Sequence, residues 1–443
     1  MNMKFASCML VFVLGLVPSV ANGQLTQLEI SGFTMGPIKY NVVVADYPDS
    51  VEPEELQSKV ADSLERVNRL MSTYIPDSDV SRFNSNQSTQ FQSVDAETLA
   101  VVNRAISISK RTAGAFDITV GPAVNLWSFG PDEANEKGLP SQQLIDNTKK
   151  LIGFEKLETR TEPPAIRKSE PGLKIDLSAI AKGYAVDQVA KVLDESGCKQ
   201  FMVEVGGEVF ARGERALGGK WRVGVERPNA DRVANASLSS GAKQELASVA
   251  EISDRALATS GDYRNFFEFK GQRYSHTIDP TTCRPVEHGL ATACIIADDC
   301  MTADALATAV MVLGVEKGQA VCQELGVECF LITRDSDFGM QLTEFKSDGF
   351  PLVPKSASVN PPVKPAGESN PQSILPMFIG ATVVIGLAIL GMAVGSIFGN
   401  KPVRGSCGGL ANVTDENGDS SCGICAKPTT DCVERESSTV DSV

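Results

Sequence analysis

Residues 175–184 of the chain are Ile175-Asp176-Leu177-Ser178-Ala179-Ile180-Ala181-Lys182-Gly183-Tyr184, and they begin a helical pattern. Apolar residues recur every three or four positions, which predicts a helix from Ser178 to a stop at Gly197. Asp176 and Ser178 stand at the predicted helix start, where backbone N–H groups and the helix dipole favour an anion. Lys182 follows one turn later. Two interpretations are open: an anion-binding helix start, or an ordinary helix cap beside a solvated lysine.

On both sides of this segment, helical and strand-like patterns are interspersed. Helical periodicity occurs over residues 56–71, after Pro53, and over residues 95–106. Because no regular βαβ rhythm or repeat is present, we predict an α+β fold of two intimately joined lobes of mixed sheet and helices. The strand-like runs are residues 40–44, 201–205, 209–212, 221–225, 249–252, 292–296 and 330–333.

A further helical pattern covers residues 301–309, Met-Thr-Ala-Asp-Ala-Leu-Ala-Thr-Ala. It places Asp304 and Thr308 one turn apart on the same helix face. Carboxylate and hydroxyl oxygens suit Mg²⁺, which often shares its ligands with substrate phosphates. Taken alone, the pair is better explained by a capping or solvated aspartate and a threonine bonded back to its own helix.

The chain contains only two histidines. His276 lies in residues 274–280, Tyr-Ser-His-Thr-Ile-Asp-Pro, and an imidazole can take a proton from a hydroxyl nucleophile near neutral pH. A hydrogen-bonded structural histidine is the alternative. His288 has no comparable neighbours and is predicted to lie at the surface or in a loop.

Residues 114–122, Gly-Ala-Phe-Asp-Ile-Thr-Val-Gly-Pro, form the fourth notable segment. Their glycines predict a loop whose backbone approaches a ligand closely, and Phe116 offers a stacking face. Core packing explains the aromatic residue equally well. Since no Walker motif, nucleophile elbow or Rossmann fingerprint is present, a nucleotide would bind in another way.

Together, these four segments resemble the signature motifs of the ApbE-type FAD:protein FMN transferases. The resemblance spans about residues 33–345, with the motifs in family order. The further matching motifs are Thr34-Met35-Gly36, Met71-Ser72-Thr73-Tyr74, Ser81-Arg82-Phe83-Asn84, Val203-Glu204-Val205-Gly206-Gly207 and Ala258-Thr259-Ser260-Gly261-Asp262-Tyr263.

The resemblance implies that the chain binds FAD with Mg²⁺ and transfers FMN to a Ser or Thr hydroxyl of a client protein, releasing AMP. Lys182 would stabilise charge, and His276 is the candidate base. The implied metal ligands are Asp304, Thr308 and the main-chain carbonyl of Ala179. The implied FAD contacts are Met35, Tyr74, Ala115, Phe116, Asp117, Asp176, Lys182 and Ile278.

Three positions depart from the family pattern. Pro37 stands where Thr is usual, and Ala307 stands where some members have Asp, which would leave the metal one carboxylate fewer. Cys283 stands where Gly is usual. A glycine there suggests a turn with positive φ, which a cysteine would strain.

Composition excludes several classes of protein. The 443 residues carry a formal net charge of -14, which argues against nucleic acid, since its backbone is bound by Lys/Arg patches. Two histidines leave little room for His-rich metal sites. The predicted transferase domain, residues 24–350, is long enough for a large core.

Both ends of the chain carry apolar segments. Residues 1–23 have the layout of a secretory signal peptide, with an uncleaved anchor as the alternative. Residues 374–398 lack charge and are predicted to form a transmembrane helix after a Pro-rich linker, residues 351–373. Because Lys401 and Arg404 follow, the positive-inside rule predicts a cytoplasmic tail. We therefore predict a single-pass inner-membrane protein with a periplasmic catalytic domain.

The predicted tail, residues 399–443, contains four cysteines and no histidine. An all-thiolate site suits zinc or iron in a reducing compartment; a disordered acidic tail with incidental thiols is the alternative. Residues 374–432 also resemble the small membrane maturation factor of the Na⁺-translocating NADH:quinone reductase. That resemblance implies iron delivery to the reductase, whose flavin-accepting subunits would be the clients. The cysteines are Cys407, Cys422, Cys425 and Cys432.

The six cysteines of the body are harder to interpret. Cys322 could bridge Cys329 after export, and Cys294 could bridge Cys300, but spacing alone cannot assign pairs. Buried free thiols are the alternative, as they are for Cys198 and Cys283.

The main hypothesis is a membrane-tethered flavin transferase that modifies subunits of a respiratory sodium pump. Two alternatives use the same features. One is a Mg²⁺-dependent FAD pyrophosphatase, in which water replaces the client hydroxyl. The other is a non-enzymatic, membrane-anchored flavin- or metal-binding protein.

Overall fold

The structure is a computed structural model that describes residues 27–130, 138–228, 246–263, 266–334 and 341–354. The predicted signal peptide, transmembrane helix and cysteine-containing tail lie outside these residues, as does most of the predicted linker.

The described residues form a mixed α+β fold, as predicted from the sequence. The helices are α1 (Pro53–Met71), α2 (Asp79–Ser85), α3 (Ala96–Arg111), α4 (Gly121–Leu126), α5 (Gln142–Lys149), α6 (Ala181–Glu195) and α7 (Cys300–Leu325). The strands are β1 (Leu28–Thr34), β2 (Ile38–Asp46), β3 (Gln92–Ser93), β4 (Leu157–Arg160), β5 (Ala165–Lys168), β6 (Gln200–Val205), β7 (Glu208–Arg212), β8 (Trp221–Glu226), β9 (Leu246–Ile252), β10 (Arg255–Gly261), β11 (Phe266–Phe269), β12 (Gln272–Ser275), β13 (Ile278–Asp279), β14 (Arg284–Pro285), β15 (Leu290–Ala297), β16 (Glu328–Arg334), β17 (Leu342–Lys346) and β18 (Leu352–Val353).

An eight-stranded antiparallel sheet in the order β1-β2-β6-β7-β10-β15-β16-β17 forms the centre of the domain. Successive residues of a strand point to opposite faces. In β2, Val42 and Val44 join the core beneath α1, α6 and α7, whereas Val43 and Ala45 face the three-stranded sheet β18-β9-β8. The central sheet is therefore covered on both faces. The division into two lobes stays a prediction.

The helices predicted within the described residues are confirmed, but one begins later than expected. The predicted start of α6 at Ser178 is wrong: the helix begins at Ala181, and its N-cap residue Ile180 makes no side-chain cap. The reason is local. The Asp176 carboxylate accepts the Ser178 N–H at 2.9 Å, and the chain then forms a turn in which Leu177 O accepts the N–H groups of Ile180 and Ala181.

One short strand bears on the predicted linker, and one long helix bears on the prediction of membrane-spanning segments. Leu352 and Val353 pair with β9, so the predicted linker start at residue 351 is too early for a segment without regular structure. Helix α7 is long and apolar enough to cross a membrane, but length and composition are weak evidence here because it packs against β10, β15 and α6. It is a core helix that bends at Gly314, whose φ is 75°.

Candidate active site

One cavity of about 380 Å³ gathers almost all the predicted site residues of the body. It lies where the start of α6, the start of β7, the end of β10 and one face of α7 meet. Met35 is not in its lining; that residue sits in the β1–β2 turn with a φ of 47°. The predicted residues that line the cavity are Tyr74, Ala115, Phe116, Asp117, Asp176, Ala179, Lys182, His276, Ile278, Asp304 and Thr308.

The Lys182 ammonium lies between two buried carboxylates. Its Nζ is 3.0 Å from Asp304 Oδ1 and 3.0 Å from Glu208 Oε1. Burial alone would lower the pKa of Lys182, but the charges of Asp304 and Glu208 outweigh it and raise that pKa above its usual value. The solvated-lysine and solvated-aspartate interpretations are therefore both wrong.

A glycine allows α6 and α7 to approach closely enough for this pairing. The Gly183 N–H donates to Asp304 Oδ2 at 3.0 Å. A Cβ atom at Gly183 would lie 2.3 Å from the Cys300 carbonyl oxygen, well inside van der Waals contact. The first turn of α6 thus offers both a side-chain cation and a free backbone N–H to one carboxylate.

The donor set fits a hard divalent cation. Asp304 and Thr308 lie one turn apart on α7, as predicted, and Ala179 belongs to the turn before α6. Thr308 Oγ1 is 3.4 Å from Ser260 Oγ. The Asp304 carboxylate already forms an ion pair with the Lys182 ammonium, so its position suits a positively charged partner. Within the described residues there is no cluster of three or more His, Cys, Asp or Glu side chains that could hold a metal, so backbone, hydroxyl and substrate oxygens would complete the shell.

Asp117 organises one wall of the cavity. Its Oδ1 accepts the Thr119 N–H and hydroxyl at 2.8 and 2.7 Å, and its Oδ2 accepts the Phe154 N–H at 2.8 Å. Burial raises the pKa of Asp117, and these hydrogen bonds partly oppose the rise. Phe116 is 2% exposed and belongs to the core, so its side chain packs rather than presenting an open stacking face.

Asp176 is positioned through its neighbour. The Asn84 side chain bonds both backbone groups of Ile175, accepting its N–H and donating to its carbonyl, each at 2.8 Å. The Asp176 N–H donates to Ile118 O at 2.7 Å. These bonds fix the segment before α6 without regular secondary structure, which gives the Ser-Arg-Phe-Asn motif a structural role.

His276 lines the cavity and meets the edge of an aromatic cluster. Its ring centroid is 6.3 Å from that of Phe129, in a T-shaped arrangement. The ring centroids of Phe129 and Phe267 are 5.4 Å apart, and the Phe267 ring stacks on that of Tyr274 with the centroids 5.1 Å apart. The imidazole therefore borders a hydrophobic cluster at the edge of the cavity. His288, as predicted, lies in an exposed loop, where its Nε2 is 3.3 Å from Val312 O at the bend of α7.

The departure from the family pattern at Cys283 has a structural consequence. Cys283 adopts a φ of 56°, which confirms the predicted left-handed turn. Its N–H donates to Asp279 O, and its carbonyl accepts the Trp127 indole N–H, both at 2.8 Å. These bonds hold a backbone that favours glycine. All six body cysteines are buried free thiols.

Sequence reasoning missed Glu208 and Phe129. Glu208 directly follows the Gly206-Gly207 turn and is 2% exposed, yet in the sequence it looks like an ordinary polar residue beginning a strand. Its burial depends on Lys182 and α7, which are distant in the chain. A charged residue directly after the glycine turn that ends a matching motif is the only signal that could have found it.

Comparison with known proteins matches residues 35–331 to the ApbE family and residues 396–440 to the family described as (Na+)-NQR maturation NqrM. The FAD:protein FMN transferase of Vibrio cholerae is 40% identical over 311 residues, covering 70% of this chain and 89% of that protein. The FAD:protein FMN transferase of Haemophilus influenzae is 35% identical over 336 residues, covering 75% and 93%.

Solved structures agree with these matches. The flavin transferase ApbE from Vibrio cholerae aligns with a TM-score of 0.64 at 39% identity, covering 73% of this chain and 97% of that chain. The apo form of the flavinyl transferase ApbE from Pseudomonas stutzeri aligns with a TM-score of 0.64 at 33% identity, covering 73% and 95%.

Proposed function

Because the chain belongs to the ApbE family and is an FAD:protein FMN transferase with a C-terminal NqrM segment, we propose that it works with Mg²⁺ and releases AMP. The acceptor would be a Ser or Thr hydroxyl of a client protein. The observation that carries this proposal is the Lys182 ammonium, held on Asp304 in the cavity that His276 also lines.

The cavity side chains are proposed to have three roles: charge stabilisation, cation binding and contact with FAD. Lys182 brings a positive charge to the place where the pyrophosphate would react, and preorganised charge is a large source of stabilisation in phosphoryl transfer. Asp304, Thr308 and the Ala179 carbonyl would hold Mg²⁺, which when bound supplies charge neutralisation and Lewis-acid polarisation of phosphate oxygens. Asp117 and Asp176, which also line the cavity, would contact FAD, as would Tyr74, Ala115, Phe116 and Ile278.

The proposed step is an in-line displacement. The client hydroxyl oxygen bonds to the phosphorus of the FMN half of FAD, while the bond from that phosphorus to the AMP oxygen breaks. His276 accepts the hydroxyl proton, and AMP leaves with its phosphate. A water molecule in place of the client would give the FAD pyrophosphatase reaction, so the choice between the two depends on client access to the cavity.

The proposals on the client and the location draw on the segments at the two ends of the chain. The NqrM segment supports flavin-accepting subunits of the Na⁺-translocating NADH:quinone reductase as clients. We further propose that the signal peptide exports the catalytic domain to the periplasm, that residues 374–398 anchor it in the inner membrane, and that the cytoplasmic tail cysteines bind iron for the same complex.

One assay tests the reaction. Purified full-length protein is incubated with FAD, Mg²⁺ and a flavin-accepting reductase subunit, and both AMP and covalent flavin fluorescence of the client are measured. We expect equal amounts of AMP and flavinylated client, with both lost on chelation by EDTA or in Asp304→Ala. AMP without labelled client would indicate a pyrophosphatase, and labelling that survives EDTA would refute the cation requirement.

A further inference from the structure

Glu208 lies in the site and has no role in the proposed step. It is the first residue of β7, its side chain is 3% exposed, and its Oε1 is 3.0 Å from Lys182 Nζ. The same ammonium lies 3.0 Å from Asp304 Oδ1. The three groups therefore form a buried row of carboxylate, ammonium and carboxylate.

This row creates a competition for Asp304. A divalent cation bound to that carboxylate would displace the Lys182 ammonium, because both positive groups seek the same oxygens. A buried ammonium that loses its counter-charge is strongly destabilised. Binding of the cation would therefore be opposed unless Lys182 kept a second anionic partner.

We propose that Glu208 is the positioning residue that retains Lys182 when a divalent cation takes Asp304. This inference rests on the proposed function, because it assumes that Asp304 binds a cation. Glu208 keeps the ammonium in the cavity beside the cation, while the cation takes the place of the ammonium at Asp304. The ammonium then remains available to the pyrophosphate.

The backbone around Glu208 suits a fixed partner. Gly206 has a φ of 64°, and a Cβ there would lie 2.9 Å from Ile38 Cγ2 and 3.6 Å from Lys182 Cδ. A side chain at this turn would therefore contact the lysine stem. Glu208 pairs with Val205 across a hairpin inside the central sheet, so its backbone is held on a strand. The flexible lysine stem is the part that can move.

The test measures cation binding without catalysis. Mn²⁺ is titrated into the full-length protein in the absence of FAD, and free Mn²⁺ is followed by electron paramagnetic resonance. Mn²⁺ is a hard cation that thiolates of the tail bind poorly. Asp304→Ala supplies the baseline for binding elsewhere, and displacement by Mg²⁺ identifies the site signal.

We expect Glu208→Gln to weaken Mn²⁺ binding at this site about tenfold, because the ammonium then has only Asp304 in the row. Glu208→Asp, which keeps the charge, should recover part of the loss. The decisive variant is Lys182→Met/Glu208→Gln. It should bind Mn²⁺ at least as tightly as the wild type, because the competitor is gone.

Two results would overturn the role of Glu208: unchanged binding in Glu208→Gln, or a loss that persists in the double variant. The second would mean that the carboxylate acts on the cation directly. Absence of Mn²⁺ binding by the wild type would instead refute the cation requirement, and this proposal with it. Tryptophan fluorescence during urea unfolding confirms that each variant is folded, since Trp127 and Trp221 are both buried in the described domain.

Discussion

The close approach of α6 and α7 at Gly183 predicts a strong effect of Gly183→Ala. A Cβ at this position would lie 2.3 Å from the Cys300 carbonyl oxygen, 2.6 Å from its carbonyl carbon and 2.8 Å from Met301 Cα. These are backbone atoms, which cannot rotate away. The two helices must therefore separate, and the 3.0 Å hydrogen bond from Gly183 N to Asp304 Oδ2 must lengthen.

The cost can be worked from these contacts. Overpacking a core typically costs about 1–3 kcal/mol. Losing a hydrogen bond to a charged group adds about 1.5–3 kcal/mol. Alanine returns about 1 kcal/mol through its higher helix propensity. We therefore expect Gly183→Ala to lower the free energy of unfolding by roughly 1.5–5 kcal/mol.

Urea unfolding of the full-length protein measures this change. The chain has two tryptophans, Trp127 and Trp221, both buried in the described domain, so intrinsic fluorescence reports on that domain. Gly121→Ala is the matched control, because a Cβ there would meet Asp176 Cβ at an ordinary 3.6 Å. The control should change the unfolding free energy by no more than about 1 kcal/mol. Equal stability of Gly183→Ala and the wild type would refute the close-approach argument.

Three other changes test separate parts of the molecule. His276→Ala should lower the rate of FMN transfer at least tenfold with little change in FAD affinity. His288→Ala changes the chain's other histidine and should leave both the rate and the affinity unchanged. Equal turnover of the two variants would remove His276 from the mechanism. Burial raises the pKa of Asp187 to about 7. The folded state therefore retains a proton that the unfolded state releases near pH 4, so stability should fall as pH rises from about 4 to 7, and Asp187→Asn should flatten that fall in urea titrations at several pH values. Iron or zinc should co-purify with the intact protein and be lost in Cys422→Ser/Cys425→Ser; a metal-free wild type after anaerobic preparation would contradict the proposed tail site.

The sequence predicted the regular elements well because their patterns are local. In α1, the apolar positions at Leu56, Val60 and Leu64 are all buried, as helical spacing requires. The apolar run of β2 likewise predicted a strand, whereas the structure shows that its buried residues pack on both faces of the sheet. The start of α6 was misplaced because the Asp176 side chain turns the chain before the helix begins, and a hydroxyl residue nearby resembled a cap.

The site residues could be predicted only where they belong to a recognisable motif. Asp304 and Thr308 share a helix face by spacing, but nothing local shows that Asp304 is buried against another helix. That burial depends on Gly183, which has no side chain to signal its role. Glu208 was missed for the same reason: its partner Lys182 lies on a different element, so the pair exists only after the sheet and α6 have packed.

The charges around the cavity explain why a bound cation should favour the binding of FAD. Its lining contains the carboxylates of Asp117, Asp176, Glu208 and Asp304, against the single ammonium of Lys182. A pyrophosphate brought into such a site would face more negative than positive charge at low effective dielectric. A divalent cation on Asp304 changes that balance, and the retained Lys182 adds to it. A cation already held at Asp304 would thus supply the counter-charge that the substrate needs, and the burial of Glu208 beside Lys182 becomes part of how anionic FAD is accepted.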